Sequence, residues 1–304
     1  MARLKRPLDG VLLFDKPLTL SSNIALQKVR RLFQAEKAGH TGTLDSLATG
    51  LLPICFGEAT KFSTALLDAD KTYRALVKLG QTTTTGDAEG EITISCAAVL
   101  DEAQVRDTLH NFMGEIQQIP PMHSALKHQG KPLYEYIRKG ETIERTSRSV
   151  TIHELVLERF ADDEMEITVR CSKGTYIRTL AEDIGHALGC GAHLRGLRRT
   201  AIAQFRLEDA HGLPALEAMT MLQRDACLLP LDCLLQDLPV LELDEVQVIR
   251  IAQGQRLAID AALPDGKVRL YGAGQFIGIA DLEGRRLAPG RLLSSVAKSS
   301  VGTG

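Results

Sequence analysis

One stretch of this 304-residue chain concentrates groups that could act on a substrate: Gly39-His40-Thr41-Gly42-Thr43-Leu44-Asp45-Ser46-Leu47-Ala48-Thr49-Gly50-Leu51-Leu52-Pro53. An aspartate in such a loop ordinarily caps a turn, and the glycines ordinarily supply positive φ. Asp45, however, lies between apolar Leu44 and a run of small residues leading into an apolar strand, which predicts a partly buried carboxylate. Such a group needs a cationic partner to stay ionised at neutral pH. Kept ionised beside a reacting centre, it can serve as nucleophile or base. The candidate partner is Arg178, which closes the run Cys171-Ser172-Lys173-Gly174-Thr175-Tyr176-Ile177-Arg178. Its plainer reading is a surface i,i+4 pair with Glu182 on one helix. Competing motifs are missing from the sequence. Gly57-Glu58-Ala59-Thr60-Lys61 lacks the second glycine of a P-loop, no Gly-x-Gly-x-x-Gly precedes a helix, and there is no Gly-x-Ser-x-Gly elbow.

The elements that must position these residues follow from periodicity. Val11–Phe14 reads as a buried strand that stops at Asp15-Lys16-Pro17, since proline restricts the residue before it. Ser21-Ser22-Asn23 offers helix N-caps, and Ala25, Val29, Leu32 and Phe33 form the apolar stripe of the helix that follows. Residues 39–50 read as a loop and 58–67 as a helix. Tyr73, Ala75, Val77 and Leu79 alternate with more polar neighbours as in a strand, where Tyr73 reads as a core residue. Residues 82–90 read as a polar turn, and Asp101 with Gln104 as a capping box. Val150–Phe160 and Met165–Cys171 read as a hairpin across Asp162-Asp163-Glu164, followed by a helix from Thr175 that ends at Gly189 and Gly191. Strands mixed with isolated helices, without a βαβ rhythm, predict an α+β fold. Past Pro239 the texture changes to short apolar runs punctuated by glycines, a small β-rich module joined by the acidic helical connection 207–238. The expected domains are therefore 1–238 and 239–304.

Composition narrows the function. The chain carries 36 Lys+Arg against 38 Asp+Glu and is 44% hydrophobic, which excludes a disordered or fibrous protein. No apolar run approaches the roughly 20 residues needed to cross a bilayer. The six cysteines form no Cys-x-x-Cys pair, and the eight histidines show no zinc-type spacing, so we expect a cytoplasmic, metal-free protein with reduced thiols. The near-zero net charge hides segregation. Residues 1–40 and 170–206 each carry a net +5, and residues 207–265 a net −8. Mixed solvated surfaces would explain this, but so would a basic face that follows a phosphate backbone.

Taken together, several segments resemble the bacterial tRNA pseudouridine-55 synthase family. They are Asp15-Lys16-Pro17 with Ser21-Ser22-Asn23, then Gly39 to Pro53, then Lys71-Thr72-Tyr73-Arg74. Ser172 to Arg178 follows, and then Gly189-Cys190-Gly191-Ala192-His193 leading into Leu197-Arg198-Arg199. They occur in family order from about residue 10 to 200. The family often has glycine where Thr19 stands and proline where Ser46 stands.

The resemblance implies a mixed, largely antiparallel central sheet flanked by helices and loops, with a PUA-like RNA-binding domain over residues 239–304. It implies an isomerase that converts a T-loop uridine of tRNA to pseudouridine without a cofactor, with Asp45 acting at the sugar–base junction and Arg178 orienting it. Tyr73 would stack on the extruded uracil, His40 and Tyr176 would contact the nucleotide or its loop, and Leu197 would line the base pocket. Lys16 and the basic blocks would approach phosphates, Arg198 and Arg199 doing the same or serving as surface charges. The tRNA T stem-loop is the expected partner of a monomer with no metal and no membrane contact. A non-catalytic RNA-binding or RNA-folding protein is the alternative, and Asp45 discriminates the two, because a carboxylate beside phosphodiesters would only repel them.

Overall fold

The computed structural model describes residues 5–124 and 126–299. Strand β1 (Gly10–Lys16) leads to helix α1 (Ser22–Leu32), whose N-cap Ser21 accepts a hydrogen bond from the Ile24 N–H. Strands β2 (Ala38–His40) and β3 (Ala48–Phe56) flank the Asp45 loop. A 3₁₀ turn (Gly57–Lys61) and helix α2 (Thr64–Leu67) precede β4 (Lys71–Leu79). The small hairpin β5 (Gln81–Thr83) with β6 (Ile92–Ser95) is followed by α3 (Glu102–His110), β7 (Gly114–Gln118), β8 (Lys127–His128), β9 (Lys131–Pro132) and α4 (Leu133–Ile137). Then come β10 (Arg148–Ala161), β11 (Glu164–Cys171), α5 (Ile177–Ala187), β12 (Ala192–Ile202), β13 (Phe205–Arg206) and β14 (His211–Gly212). Helices α6 (Leu213–Ala218) and α7 (Met221–Ala226) connect to β15 (Val240–Leu243), α8 (Glu245–Ala252), β16 (Leu257–Ala258), β17 (Gly266–Gly272), β18 (Gln275–Glu283), β19 (Arg286–Leu292) and α9 (Ser294–Ser299).

The fold is α+β, built on a ten-stranded mixed sheet in the order β14-β1-β3-β12-β4-β11-β10-β7, with β2 and β13 paired at its side. Within this sheet, among the described residues, only β1–β14 and β3–β12 pair in parallel. Helices α3 and α5 cover one part of it through Val105, Leu109, Leu180 and Ile184, and α1 covers another through Ala25, Leu26 and Val29. Residues from β15 to β19 make a separate five-stranded sheet with its own core of Leu241, Leu257, Val268, Leu270 and Leu287. Leu293 and Phe276 join that module to the main domain by packing with Phe62, Leu66 and Leu235.

Local signals work where they lie within a few residues of each other. Asp101 and Gln104 form the full reciprocal capping box at the start of α3. The hairpin β10–β11 pairs from Ile152↔Cys171 to Ala161↔Glu164, with register shifts at Ile152/Glu154 and Leu157/Arg159. Departures have physical causes. The expected helix 58–67 splits into a 3₁₀ turn and the short α2. The connection 207–238 breaks because Thr220 and Gln223 start a new helix with their own capping box, and Pro230 precedes another 3₁₀ turn. Residues 82–90 are not wholly a turn, because β5 pairs with β6. The 192–202 segment becomes an eleven-residue central strand that the sequence pattern conceals. Two register shifts, at Leu194/Gly196 and Arg199/Ala201, break its two-residue alternation.

Candidate active site

Three neighbouring strands bring the motifs together. In register, Tyr73 of β4 stands opposite Arg199 of β12, and Arg199 stands opposite Gly50 of β3. Gly50 is obligatory there: its φ is +101°, and a Cβ would lie 2.3 Å from the Arg199 carbonyl oxygen. The Asp45 loop enters β3 from this end, and the turn after β11 delivers Tyr176 and Arg178 at the start of α5. The result is a cleft of about 250 Å³ whose lining includes Asp45, Lys71, Tyr73, Tyr176, Arg178 and Leu197.

The loop turns Asp45 outward. Leu44 is buried and clamped by Ser22, whose hydroxyl accepts from the Leu44 N–H at 2.8 Å and donates to the Leu44 carbonyl at 2.9 Å. With Leu44 pinned inward, the next side chain faces solvent, and Asp45 keeps 48% of its side-chain surface exposed. The expectation of a partly buried Asp45 is therefore corrected. The buried member of the pair is Arg178, with 7% of its side chain exposed.

Arg178 does not take the surface role of an i,i+4 partner to Glu182. One guanidinium nitrogen lies 3.0 Å from Asp45 Oδ2 and donates to the His123 carbonyl at 2.6 Å. The other lies 3.4 Å from Asp87 Oδ2 and donates to the Thr85 carbonyl at 3.3 Å. Asp87 is buried and held in turn, accepting from the Thr85 hydroxyl at 2.6 Å and from the Glu89 N–H at 3.1 Å. A buried cation without such partners would be strongly destabilising. Here the fixed carboxylate and the carbonyls hold the fork so that its remaining edge meets the exposed carboxylate. Sequence reasoning missed Asp87; its signal was the short Gly86-Asp87-Ala88-Glu89-Gly90 turn between two strands.

Tyr73 is half-buried, and burial pushes its phenol above the ordinary tyrosine range despite the opposing pull of Arg199, which bonds to its hydroxyl. Leu197 and Tyr176 are half-buried walls of the same cleft. The Tyr176 backbone is gripped at both ends by the buried Gln118 side chain, which accepts from its N–H at 3.0 Å and donates to its carbonyl at 3.3 Å. Gln118, on β7, was also missed, because a lone glutamine carries no pattern. His40 lies in an adjoining hollow of about 540 Å³ that shares Asp45 and Arg178. Burial, reinforced by Arg199, holds its imidazole below the usual histidine range, so it is neutral at pH 7.

Two basic residues differ from expectation. Lys16 is fully buried and does not face solvent: its ammonium donates to the Pro17 carbonyl at 3.0 Å and to that of Leu20, closing the turn between β1 and α1. Arg199 is likewise interior, donating to the carbonyls of Leu51 at 2.8 Å and Gly42 at 3.1 Å. Arg198, by contrast, pairs at 2.7 Å with Asp15. Among the described residues, no His/Cys/Asp/Glu group is arranged to hold a metal, and no helix is long and apolar enough to cross a membrane.

With this geometry in place, comparisons settle the family. The profile of the TruB family pseudouridylate synthase N-terminal domain matches residues 30–177. That of the tRNA pseudouridylate synthase B C-terminal domain matches 178–236, and that of the pseudouridine synthase II TruB C-terminal region matches 239–293. The chain is 56% identical over 296 residues to tRNA pseudouridine synthase B of Burkholderia mallei, spanning 95% of this chain and 98% of that one. The chain belongs to the TruB family of pseudouridylate synthases. The enzyme of the same name from Methylobacillus flagellatus is 54% identical over 293 residues, spanning 96% of this chain and 97% of that one. This TruB-family isomerase also shares its fold with solved structures. A Cbf5-Nop10-Gar1 complex matches at a TM-score of 0.72 and 25% identity, covering 93% of this chain and 84% of that one. An H/ACA RNP bound to a substrate RNA containing 2′-deoxyuridine matches at 0.71 and 22% identity, with the same coverage. The C-terminal strands of the synthase thus occupy the PUA-like position.

Proposed function

We propose that this pseudouridine synthase acts on tRNA and isomerises uridine-55 of the T loop. The names of its relatives support tRNA as the substrate, and the Asp45–Arg178–Asp87 arrangement carries the assignment of the cleft. In the reaction the bond from C1′ to N1 breaks, the uracil turns over and C1′ joins C5, while C5 gives up a proton and N1 gains one. Asp45 is the exposed carboxylate at the cleft and acts at the sugar–base junction, where Arg178 holds and aims it. The uridine leaves the stack to reach it. Tyr73 offers an aromatic face to the detached uracil, a contact that contributes about 1–3 kcal/mol per base, with Leu197 and Tyr176 as the walls. His40 contacts the nucleotide or its loop from the adjoining hollow.

Phosphate contacts fall to exposed cations. Lys28, Arg31 and Lys37 lie on the α1 side and Lys173 beside the cleft, all exposed, while Lys16 is withdrawn from this role by its burial. The module from residue 239 onward adds RNA contacts as a PUA-like domain.

The test uses a tRNA transcript tritiated at C5 of its uridines. Release of one tritium per tRNA, lost when the T-loop target is replaced, supports both reaction and site. Tight binding without release would favour an RNA-folding role instead.

A further inference from the structure

Besides its arginines, the cleft is lined by a buried amine, Lys71, that the Asp45–Arg178 chemistry does not use. Lys71 stands two residues before Tyr73, so the alternation of β4 puts both side chains on one face, and both line the cleft. Its nitrogen is buried and donates to the carbonyls of Leu67 at 2.8 Å and Ala69 at 2.5 Å, at the end of α2. A neutral amine has two N–H bonds, and these two carbonyls account for both. The lone pair then remains over.

Pseudouridine formation needs a group of this kind. Uridine carries a hydrogen on C5 and pseudouridine does not, so once C1′ has joined C5 that proton must be accepted. The arginines of the cleft stay protonated at any working pH. Tyr73 is a phenol pushed above its ordinary range by burial, hence a poor source of phenolate. Asp45 is engaged at the sugar. We propose that Lys71 accepts the C5 proton: the C5–H bond breaks, its electron pair restores the C5=C6 double bond, and the proton moves to Nζ. Water later takes that proton from Lys71, and N1 is protonated from water, so the balance is that of an isomerisation. The inference rests on the reading of this cleft as the uridine site.

The surroundings suit the role. Arg199 faces Lys71 from β12, Cys171 from β11, and Asp68 and Asp70 from the turn after α2. Burial, with Arg199 adding to it, brings the ammonium down to about 8 from 10.5, against the opposing pull of Cys171 and the two aspartates. Buried lysines of this kind serve as general bases near neutral pH. Because the free amine is the active form, proton removal speeds up as pH rises through about 8 and slows below it. Lys16 has the same depressed range, but its buried nitrogen closes a turn outside the cleft lining.

The experiment compares single turnovers of transcripts carrying hydrogen or deuterium at C5 of the target uridine, from pH 6 to pH 9.5. In the wild type the isotope effect should be largest at low pH and fade above about 8. Lys71→Gln retains two N–H donors but no base. It should slow product formation by about 10²-fold or more, with an isotope effect at every pH. A wild-type rate insensitive to deuterium throughout, or a Lys71→Gln enzyme that is slow but isotope-silent, overturns the proposal, the second outcome meaning a structural role only. Should the variant fail to fold, the wild-type series decides. Asp45→Asn separates the two readings: turnover surviving in it removes the cleft assignment, whereas an inactive Asp45→Asn beside an isotope-silent Lys71→Gln removes only Lys71.

Discussion

Two arginines buried in the walls of one cleft use the same guanidinium in opposite ways. Arg178, at the start of α5, faces two carboxylates, the buried Asp87 and the exposed Asp45. Arg199, in the middle of β12, directs its donors to the carbonyls of Leu51 and Gly42 and to the Tyr73 hydroxyl. The first arrangement leaves an exposed carboxylate facing the cleft. The second ties three strands together and leaves a cation that adds to burial in lowering His40 and Lys71. Burial alone therefore does not tell a functional cation from a structural one. What differs between these two is the partner: Arg178 shares its charge with an exposed carboxylate, and Arg199 does not.

The sharpest test of this contrast removes the exposed carboxylate. Asp45→Asn should lower single-turnover isomerisation by at least about 10³-fold while tRNA affinity, measured by filter binding, changes little. Near-normal turnover would end the contrast. Arg178→Ala should reduce kcat by about 10²-fold, since it loosens the aim of Asp45, and should change KM much less. A defect confined to KM would place Arg178 among the phosphate contacts instead. It should also weaken the fold, because Asp87 would be left buried without its cation.

Arg199→Met should show the reverse balance. Two carbonyls lose their donor, so stability in urea should fall by about 2–4 kcal/mol, with turnover of the folded fraction within about tenfold of normal. A collapse of turnover at unchanged stability would make the two arginines functionally alike.

The smallest effect concerns the turn that supports the Asp45 loop. Thr19 has a φ of +71°, a left-handed conformation that β-branched residues disfavour, and its N–H donates to the Ser46 carbonyl at 3.1 Å. Glycine, the residue the family often has at this position, fits that backbone without strain. Thr19→Gly should raise stability by about 0.5–1 kcal/mol, the relief of strain being partly offset by the freer unfolded chain, and leave kcat unchanged. Calorimetry checks the first and single-turnover assays the second.

The sequence was most legible where the determining residues are close neighbours. Ser21 caps α1, Asp101 and Gln104 cap α3, and the alternating Met165, Ile167, Val169 and Cys171 form a buried strand face. The motifs quoted for the site were legible too, since Asp45, Tyr73, Tyr176, Arg178 and Leu197 line one cleft. Illegible were β12, whose charged Arg198-Arg199 pair and two bulges disguise a central strand, and Asp87, an acidic residue in an ordinary-looking turn. Lys16 and Arg199 read as phosphate contacts or surface charges because long basic side chains are rarely buried, and their backbone carbonyl partners help make burial tolerable here.

By itself, then, the sequence determined the α+β character, the caps and the main hairpin, because those depend on propensities and contacts a few residues apart, while the cleft-forming segments were legible through the family resemblance. Tertiary structure alone decided which charges are inside and whom they meet. Arg178 joins Asp45 across 133 positions of the chain instead of Glu182 four positions away. The reason is physical: α5 packs its face onto the sheet, burial makes an unpaired guanidinium costly, and the nearest carboxylates on that side come from distant strand ends.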